Sequence, residues 1–243
     1  QASTVTDLTV SLDMDGPADS FKLVMGPVGS FKVQQDAQVT IELGYADNGG
    51  LTQVMVGGVV SAEPSLTARR IVGHSAVQHL QHFCVDETFE EKSAGQIVRD
   101  LADRAGVAVA TADSGISFPA YVIDGRRSVH RHMRDLAELC GFDLYVNAED
   151  ELVFPDRWAW LTKDFSGSLG TAGSGDAKML LERPAIRSGA AARTAADAAL
   201  TDIQRRTVRA ALLIAGRPEV KLGDAVRLRD LPEANMNGTY QVR

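Results

Sequence analysis

The sequence predicts an α+β fold, mostly β, with an α/β module of two helices set between β-rich ends. Three observations carry this. First, Arg99-Asp100-Leu101-Ala102-Asp103-Arg104-Ala105-Gly106 returns 35 positions later as Arg134-Asp135-Leu136-Ala137-Glu138-Leu139-Cys140-Gly141. Each copy ends an amphipathic stretch and runs into apolar residues of strand character. Second, the chain ahead of the repeat alternates apolar and polar residues with a period of two. Third, Asp36-Ala37-Gln38-Val39-Thr40-Ile41 is echoed by Asp224-Ala225-Val226-Arg227-Leu228 once one residue is skipped, which fits two related β domains around the module.

Residues 5 to 72 read as short strands. Leu8, Val10, Leu12 and Met14 alternate with Thr9, Ser11 and Asp13, and Val39, Ile41, Leu43 and Tyr45 alternate with Thr40, Glu42 and Gly44. A period of two puts one set on a core face and the other toward solvent. Asp15-Gly16-Pro17, Gly26-Pro27 and Asp47-Asn48-Gly49-Gly50 mark turns between them. Strands at this spacing point to an antiparallel barrel or sandwich.

A short helix is expected over Ser75 to Phe83. A second starts at Ser93, where Ile97, Val98, Leu101, Ala102 and Ala105 share one stripe. Ser93-Ala94-Gly95-Gln96 has the form of a capping box, and Gly106 suits the left-handed residue past the helix end. A third starts near Ser128, with Val129, Met133, Leu136, Ala137 and Cys140 as its stripe and Gly141 as its stop. A hairpin follows, out along 142–147, turning at Ala148-Glu149-Asp150 and returning over 151–154, where Pro155 stops it. Residues 162–178 are rich in Ser and Gly and read as a flexible loop. A helix over 194–205 comes next, then strand-like runs at 207–215, 224–228 and from Tyr240 onward, with Asn237-Gly238 as a tight turn.

Composition narrows the function classes. The 243 residues allow one large or two to three small domains, and 44% hydrophobic with 23% charged content is ordinary for a globular protein. A net charge of −7 argues against nucleic acid or an anionic membrane as the main partner. No apolar run is long enough to span a bilayer, and Gln1-Ala2-Ser3-Thr4 is not a secretory leader. The chain reads as part of a longer product. Cys84 and Cys140 are too few for a disulfide scaffold and are expected to be reduced and largely buried.

Several constellations are weighed against plainer readings. His74, His79, His82 and Cys84 carry zinc-ligand chemistry, but their spacing matches no standard zinc pattern, so surface histidines with Cys84 in the core are expected. Gly73-His74-Ser75-Ala76-Val77 falls one glycine short of a nucleophile elbow. Asp13-Met14-Asp15-Gly16 lacks the rest of a calcium loop and reads as a turn. Arg126, Arg127, His130, Arg131, His132 and Arg134 form a basic cluster without stacking aromatics, read as a solvated or salt-bridged face. Gly167, Gly170, Gly173 and Gly175 lack the lysine of a phosphate loop. No catalytic, cofactor-binding or metal-binding residue is assigned.

Four stretches resemble the phage late control gene D family, the baseplate hubs of contractile tails, whose domains also form the base of valine–glycine repeat spike proteins. They are Val39-Thr40-Ile41-Glu42-Leu43-Gly44-Tyr45 with Gln53 to Val60; Ser93 to Val107; Ser128 to Phe154; and Gly216 to Asp224 with Asn237-Gly238-Thr239-Tyr240-Gln241-Val242. Val56 or Met55 stands where the family has an aromatic, His132-Met133 replaces a Phe-Leu pair, and the family continues past Val242. The resemblance implies two small antiparallel β-barrel domains, at 1–74 and 157–243, flanking an α/β module at 75–156. It implies a non-enzymatic structural subunit of a phage tail or contractile injection particle, assembled in the bacterial cytoplasm. Its subunits form a homotrimer with pseudo-sixfold symmetry between a hexameric tail tube and a trimeric spike, touching other baseplate proteins but no nucleic acid or membrane. Two alternatives stay open: a metal-dependent hydrolase using the His74–Cys84 region, and a carbohydrate-binding β module using Trp158 and Trp160.

Overall fold

The computed structural model describes residues 5–16, 18–26, 33–45, 50–156, 183–205, 208–233 and 236–243. Five antiparallel strands form the N-terminal sheet: β1 (Val5–Ser11), β2 (Ser20–Met25), β3 (Gln38–Leu43), β4 (Thr52–Pro64) and β5 (Arg69–His74), in the order β1-β2-β5-β4-β3. Phe21, Ile41, Met55, Val59 and Ile71 form its core, with Leu8, Val10 and Leu12 packed against them. The edges are β1 and β3, and among the described residues no ladder joins them.

The alternation holds along β1 but fails at the end of β3. Leu43 and Tyr45, expected on the core face, are exposed. The register with β4 shifts between Ile41 and Glu42. The extra residue, Val54, is on β4, where it bends that strand, and β3 beyond Ile41 runs past the core.

The central module holds α1 (Val77–His82), β6 (Glu87–Ser93), α2 (Ala94–Arg104), β7 (Val109–Ala112), β8 (Ser117–Ile123), α3 (Val129–Cys140), β9 (Tyr145–Val146) and β10 (Leu152–Phe154). β6 and β8 make an antiparallel ribbon, while β10 pairs antiparallel with β9 and parallel with β7. Both repeat copies behave as the sequence predicts. At α2, Ser93 and Gln96 form the reciprocal capping box, and the glycines after α2 and α3, Gly106 and Gly141, sit at φ 72° and 73°. That left-handed conformation is nearly free of steric cost for glycine alone. Ile97, Leu101, Met133, Leu136, Leu152 and Phe154 are fully buried in the core between the helices and the short strands.

The last helix, α4 (Gly189–Arg205), begins ahead of the expected Thr194. Ser188 explains the earlier start, since its hydroxyl accepts a hydrogen bond from the Ala191 N–H at 3.1 Å. Ala191, Ala195 and Ala198 form its buried stripe, and the first two join the core of the module. Small residues bring α4 close to α3: a Cβ on Gly141 would lie 3.1 Å from that of Ala198. β11 (Ala225–Leu228) and β12 (Gly238–Gln241) form a two-stranded antiparallel ribbon. Residues 208–215, expected to be a strand, belong to no ladder. The loop expected at 162–178 lies outside the described residues, as do Trp158 and Trp160. With these elements the chain is α+β and mostly β. No helix among the described residues is long and apolar enough to cross a membrane.

Candidate functional site

The turn between β1 and β2 is the centre of a polar seam. Asp13-Met14-Asp15-Gly16 folds back on itself: the Asp15 N–H donates to Asp13 Oδ1 at 2.8 Å, and the Asp13 N–H donates to Asp19 Oδ1 at 2.8 Å. Met14 is buried and anchors the turn. This is the plain turn expected there. On the module side, the Ser75 N–H donates to the Asp19 carbonyl at 3.1 Å, and the Ala76 N–H donates to Asp150 Oδ1 at 2.7 Å. A cavity of about 10 Å³, room for roughly one water, opens here between Asp13, Asp19, Val77, His130 and Tyr145.

Burial decides the protonation of two groups in this cavity. Asp19 is 5% exposed and lies near the Asp13 and Asp150 carboxylates. Loss of hydration, and then those two charges, push its carboxyl up to about 6, against the backbone hydrogen bond from Asp13. His130 on α3 is depressed to about 4, first by burial and then by the Arg134 guanidinium.

The same turn ties three remote parts of the chain together. Arg243 reaches Asp15 with its Nη2 at 2.9 Å from Oδ1 and its Nε at 3.1 Å from Oδ2, and reaches the buried Asp143 at 3.3 Å. Gln241 Nε2 donates to Asp143 Oδ2 at 3.1 Å, and Arg134 donates to the Asp15 carbonyl at 3.2 Å. Further ties are Tyr45 Oη to the Gly216 carbonyl at 2.7 Å, Gln53 Nε2 to the Ala148 carbonyl at 2.9 Å, and Lys221 to Glu149 at 3.5 Å. Sheet, module and C-terminal ribbon are therefore cross-linked by side chains that no local pattern singles out.

The histidine and cysteine group does not assemble. His79 and His82 are exposed on α1, and His82 Nδ1 lies 2.8 Å from the Gln78 carbonyl. No group of three potential ligands lies close enough for a metal among the described residues. Cys84, expected in the core, is exposed; Cys140 is buried, and both are free thiols. The correction follows from the extended backbone after α1, where Phe83 and Val85 pack inward and Cys84 and Asp86 point out.

Ser75 of the near-elbow is buried with its hydroxyl unpartnered, and β5 before it pairs antiparallel on both sides, unlike the parallel strand of a hydrolase elbow. The basic cluster is largely spent on local partners. Arg126 pairs with Asp124, Arg127 with Asp135 at 2.6 Å, and His132 is buried against the Asp124 carbonyl at 3.1 Å.

Several large apolar side chains stay exposed. Val208, Leu212, Leu213 and Ile214 are exposed outside any helix or strand, and Leu200 and Ile203 near the end of α4 are exposed as well. Tyr45, through its bond to Gly216, joins this run to exposed Leu43 on β3. The run at 207–215 reads as strand-like in sequence, but the chain supplies it no ladder neighbour among the described residues.

No protein-family model matches the chain, and no curated protein does. Solved structures do match. The 43 kDa tail protein of prophage MuSo2 from Shewanella oneidensis superposes with a TM-score of 0.53 at 19% identity, over 63% of this chain and 50% of its own. A tail protein from Neisseria meningitidis gives a TM-score of 0.46 at 16% identity, over 63% of this chain and 47% of its own. An Escherichia coli component of the type VI secretion system gives 0.42 at 9%, over 64% of this chain and 49% of its own. The chain spans about half the length of these proteins, and it shares the fold of the Shewanella tail protein.

Proposed function

We propose that this chain is a structural subunit of a contractile tail or injection particle, acting in a baseplate hub between tail tube and spike. The fold it shares with a prophage tail protein supports this reading most directly. The ordered sequence matches to the hub family add to it.

In this reading residues 1–74 and 157–243 are two β domains around the module at 75–156, each tending toward a small barrel. Three subunits close a ring, so that six similar surfaces face a hexameric tube and three identical ones face the spike. The exposed run at 208–215 suits such a ring, because an exposed apolar segment with no ladder neighbour among the described residues offers a surface to another copy. The partners are other copies of the chain, tube, spike and baseplate proteins, and the site of action is the tail particle.

Sedimentation equilibrium across a tenfold range of concentration tests the proposal. A trimer mass, with ring-shaped particles in negative stain, is the expected result. A monomer at every concentration would remove the adaptor role.

A further inference from the structure

The hairpin that joins β4 to β5 carries a leucine at its tip, Leu66, which is 100% exposed. Three hydrogen bonds hold the tip in one shape. The Ser65 N–H donates to the Ala68 carbonyl at 2.7 Å, the Ser65 hydroxyl donates to the same carbonyl at 2.8 Å, and the Ala68 N–H donates to Ser65 Oγ at 3.0 Å. A turn fixed in advance loses little freedom on binding, so an apolar side chain on it can serve as an anchor. A single exposed leucine needs no explanation by itself. What gives this one meaning is a hole at the same end of the same sheet.

That hole is a cavity of about 380 Å³. Leu23 and Met25 on β2, Val33 and Ala37 ahead of β3, Val39 on β3 and Ile71 on β5 line it. All six belong to the core of the sheet or pack against it, and all but Ile71 are only half-buried, so the core is open here. Met25 pairs with Arg69, and Arg69 pairs in turn with Pro64, so the hairpin projects from the end of the sheet that Met25 shares with the cavity. Leu66 nevertheless stays outside its own subunit's cavity. The polar lining is Gln34 and Gln38, both exposed, and no charged group converges inside to orient a small ligand. Asp36, exposed and in no ion pair among the described residues, stands between the two glutamines in the chain.

We propose that the occupant of this cavity is Leu66 of a second copy of the chain, each subunit offering the hairpin as a knob and the open end of the sheet as a hole. Knob and hole are different patches, so the contact is head-to-tail, the kind that closes into a ring when the rotation between copies allows. This deepens the ring proposed above and rests on it only for the number of copies. Charge favours the same occupant. The hairpin carries Arg69 and Arg70 against a single Glu63, and Arg70 is exposed and in no ion pair among the described residues. Asp36 is the one charged residue of the lining segment 33–39. Bringing Arg70 to Asp36 fixes which way the hairpin enters.

Single cysteines test the contact, in a Cys84→Ser background that removes the exposed native thiol. Leu66, Gln34, Gln38 and Thr194 are all exposed, so substituting them leaves the core intact. Leu66→Cys mixed with Gln34→Cys or Gln38→Cys should give disulfide-linked pairs under mild oxidation, since linking needs Cα atoms within about 7 Å. Leu66→Cys mixed with Thr194→Cys on α4 is the control and should give none above background. In sedimentation, Leu66→Ser should raise the dissociation constant about tenfold or more, through the loss of one buried leucine per contact. Linking at neither glutamine position above the control overturns the proposal, and so does unchanged association of Leu66→Ser. A trimer that fails these tests leaves the ring standing and removes only this contact, whereas a monomer at every concentration removes both.

Discussion

Gly95→Ala is a sharp test of the packing at the start of α2. In an ordinary helix the change is favourable by up to about 1 kcal/mol, because alanine is the better helix former. Here the structure reverses the sign. The Gly95 N–H donates to the Ser114 carbonyl at 3.1 Å, which draws the first turn onto the backbone ahead of β8. A Cβ at residue 95 would lie 2.2 Å from the Asp113 carbonyl oxygen and 2.9 Å from its carbon. These are backbone atoms, and Asp113 is itself held by its N–H to the Phe154 carbonyl at 2.9 Å, so the clash is not relieved by a side-chain rotation. Overpacking of a well-ordered site costs about 1–3 kcal/mol, so the net loss is about 1–2 kcal/mol. Urea unfolding followed by circular dichroism should show a midpoint lower by about half a molar with an unchanged slope. Gly189→Ala is the control: nothing lies within 4 Å of its Cβ position, so it should be neutral or slightly stabilising. If Gly95→Ala unfolds at the same urea concentration as the wild type or above it, the close approach is wrong.

Two other expectations follow from particular side chains. Ser93→Ala removes the hydroxyl that accepts from the Gln96 N–H but keeps the backbone N–H that donates to Gln96 Oε1, and should cost about 1 kcal/mol in the same urea assay. The two thiols should separate by reactivity toward an aromatic disulfide reagent at pH 8. Exposed Cys84 should react at once, whereas Cys140, buried and pushed up to about 11, should react only as the protein unfolds. Two rapid equivalents of reaction in the native protein would contradict the placement of Cys140.

The features that proved readable in the sequence are local. The two helices and their glycine stops depend on residues within a few positions of one another, as at Ser93 with Gln96 and at Gly106 and Gly141. The start of α4 was readable in principle at Ser188, but the apolar stripe there is made only of alanines, which carry a weak signal. Leu43 and Tyr45 misled because the ladder shifts register at Val54 of β4, and the end of β3 beyond Ile41 runs past the core. Cys84 misled because cysteine is so often buried that its alternation with Phe83 and Val85 went unweighed. The seam left no pattern at all. Asp19 and His130 come to line one cavity only when the N-terminal sheet and α3 have packed, so their burial has no local cause.

The parallel pairing of β7 with β10 sets an order of events on the ribosome. A nascent chain that has emerged only as far as Asp150 already contains α2 and α3, yet β7 still lacks the strand it bonds to. Leu152 to Phe154 must arrive before that sheet exists, because β10 lies between β7 and β9 and holds both. Three residues thus act as the keystone, and the preceding half of the module waits for them during synthesis.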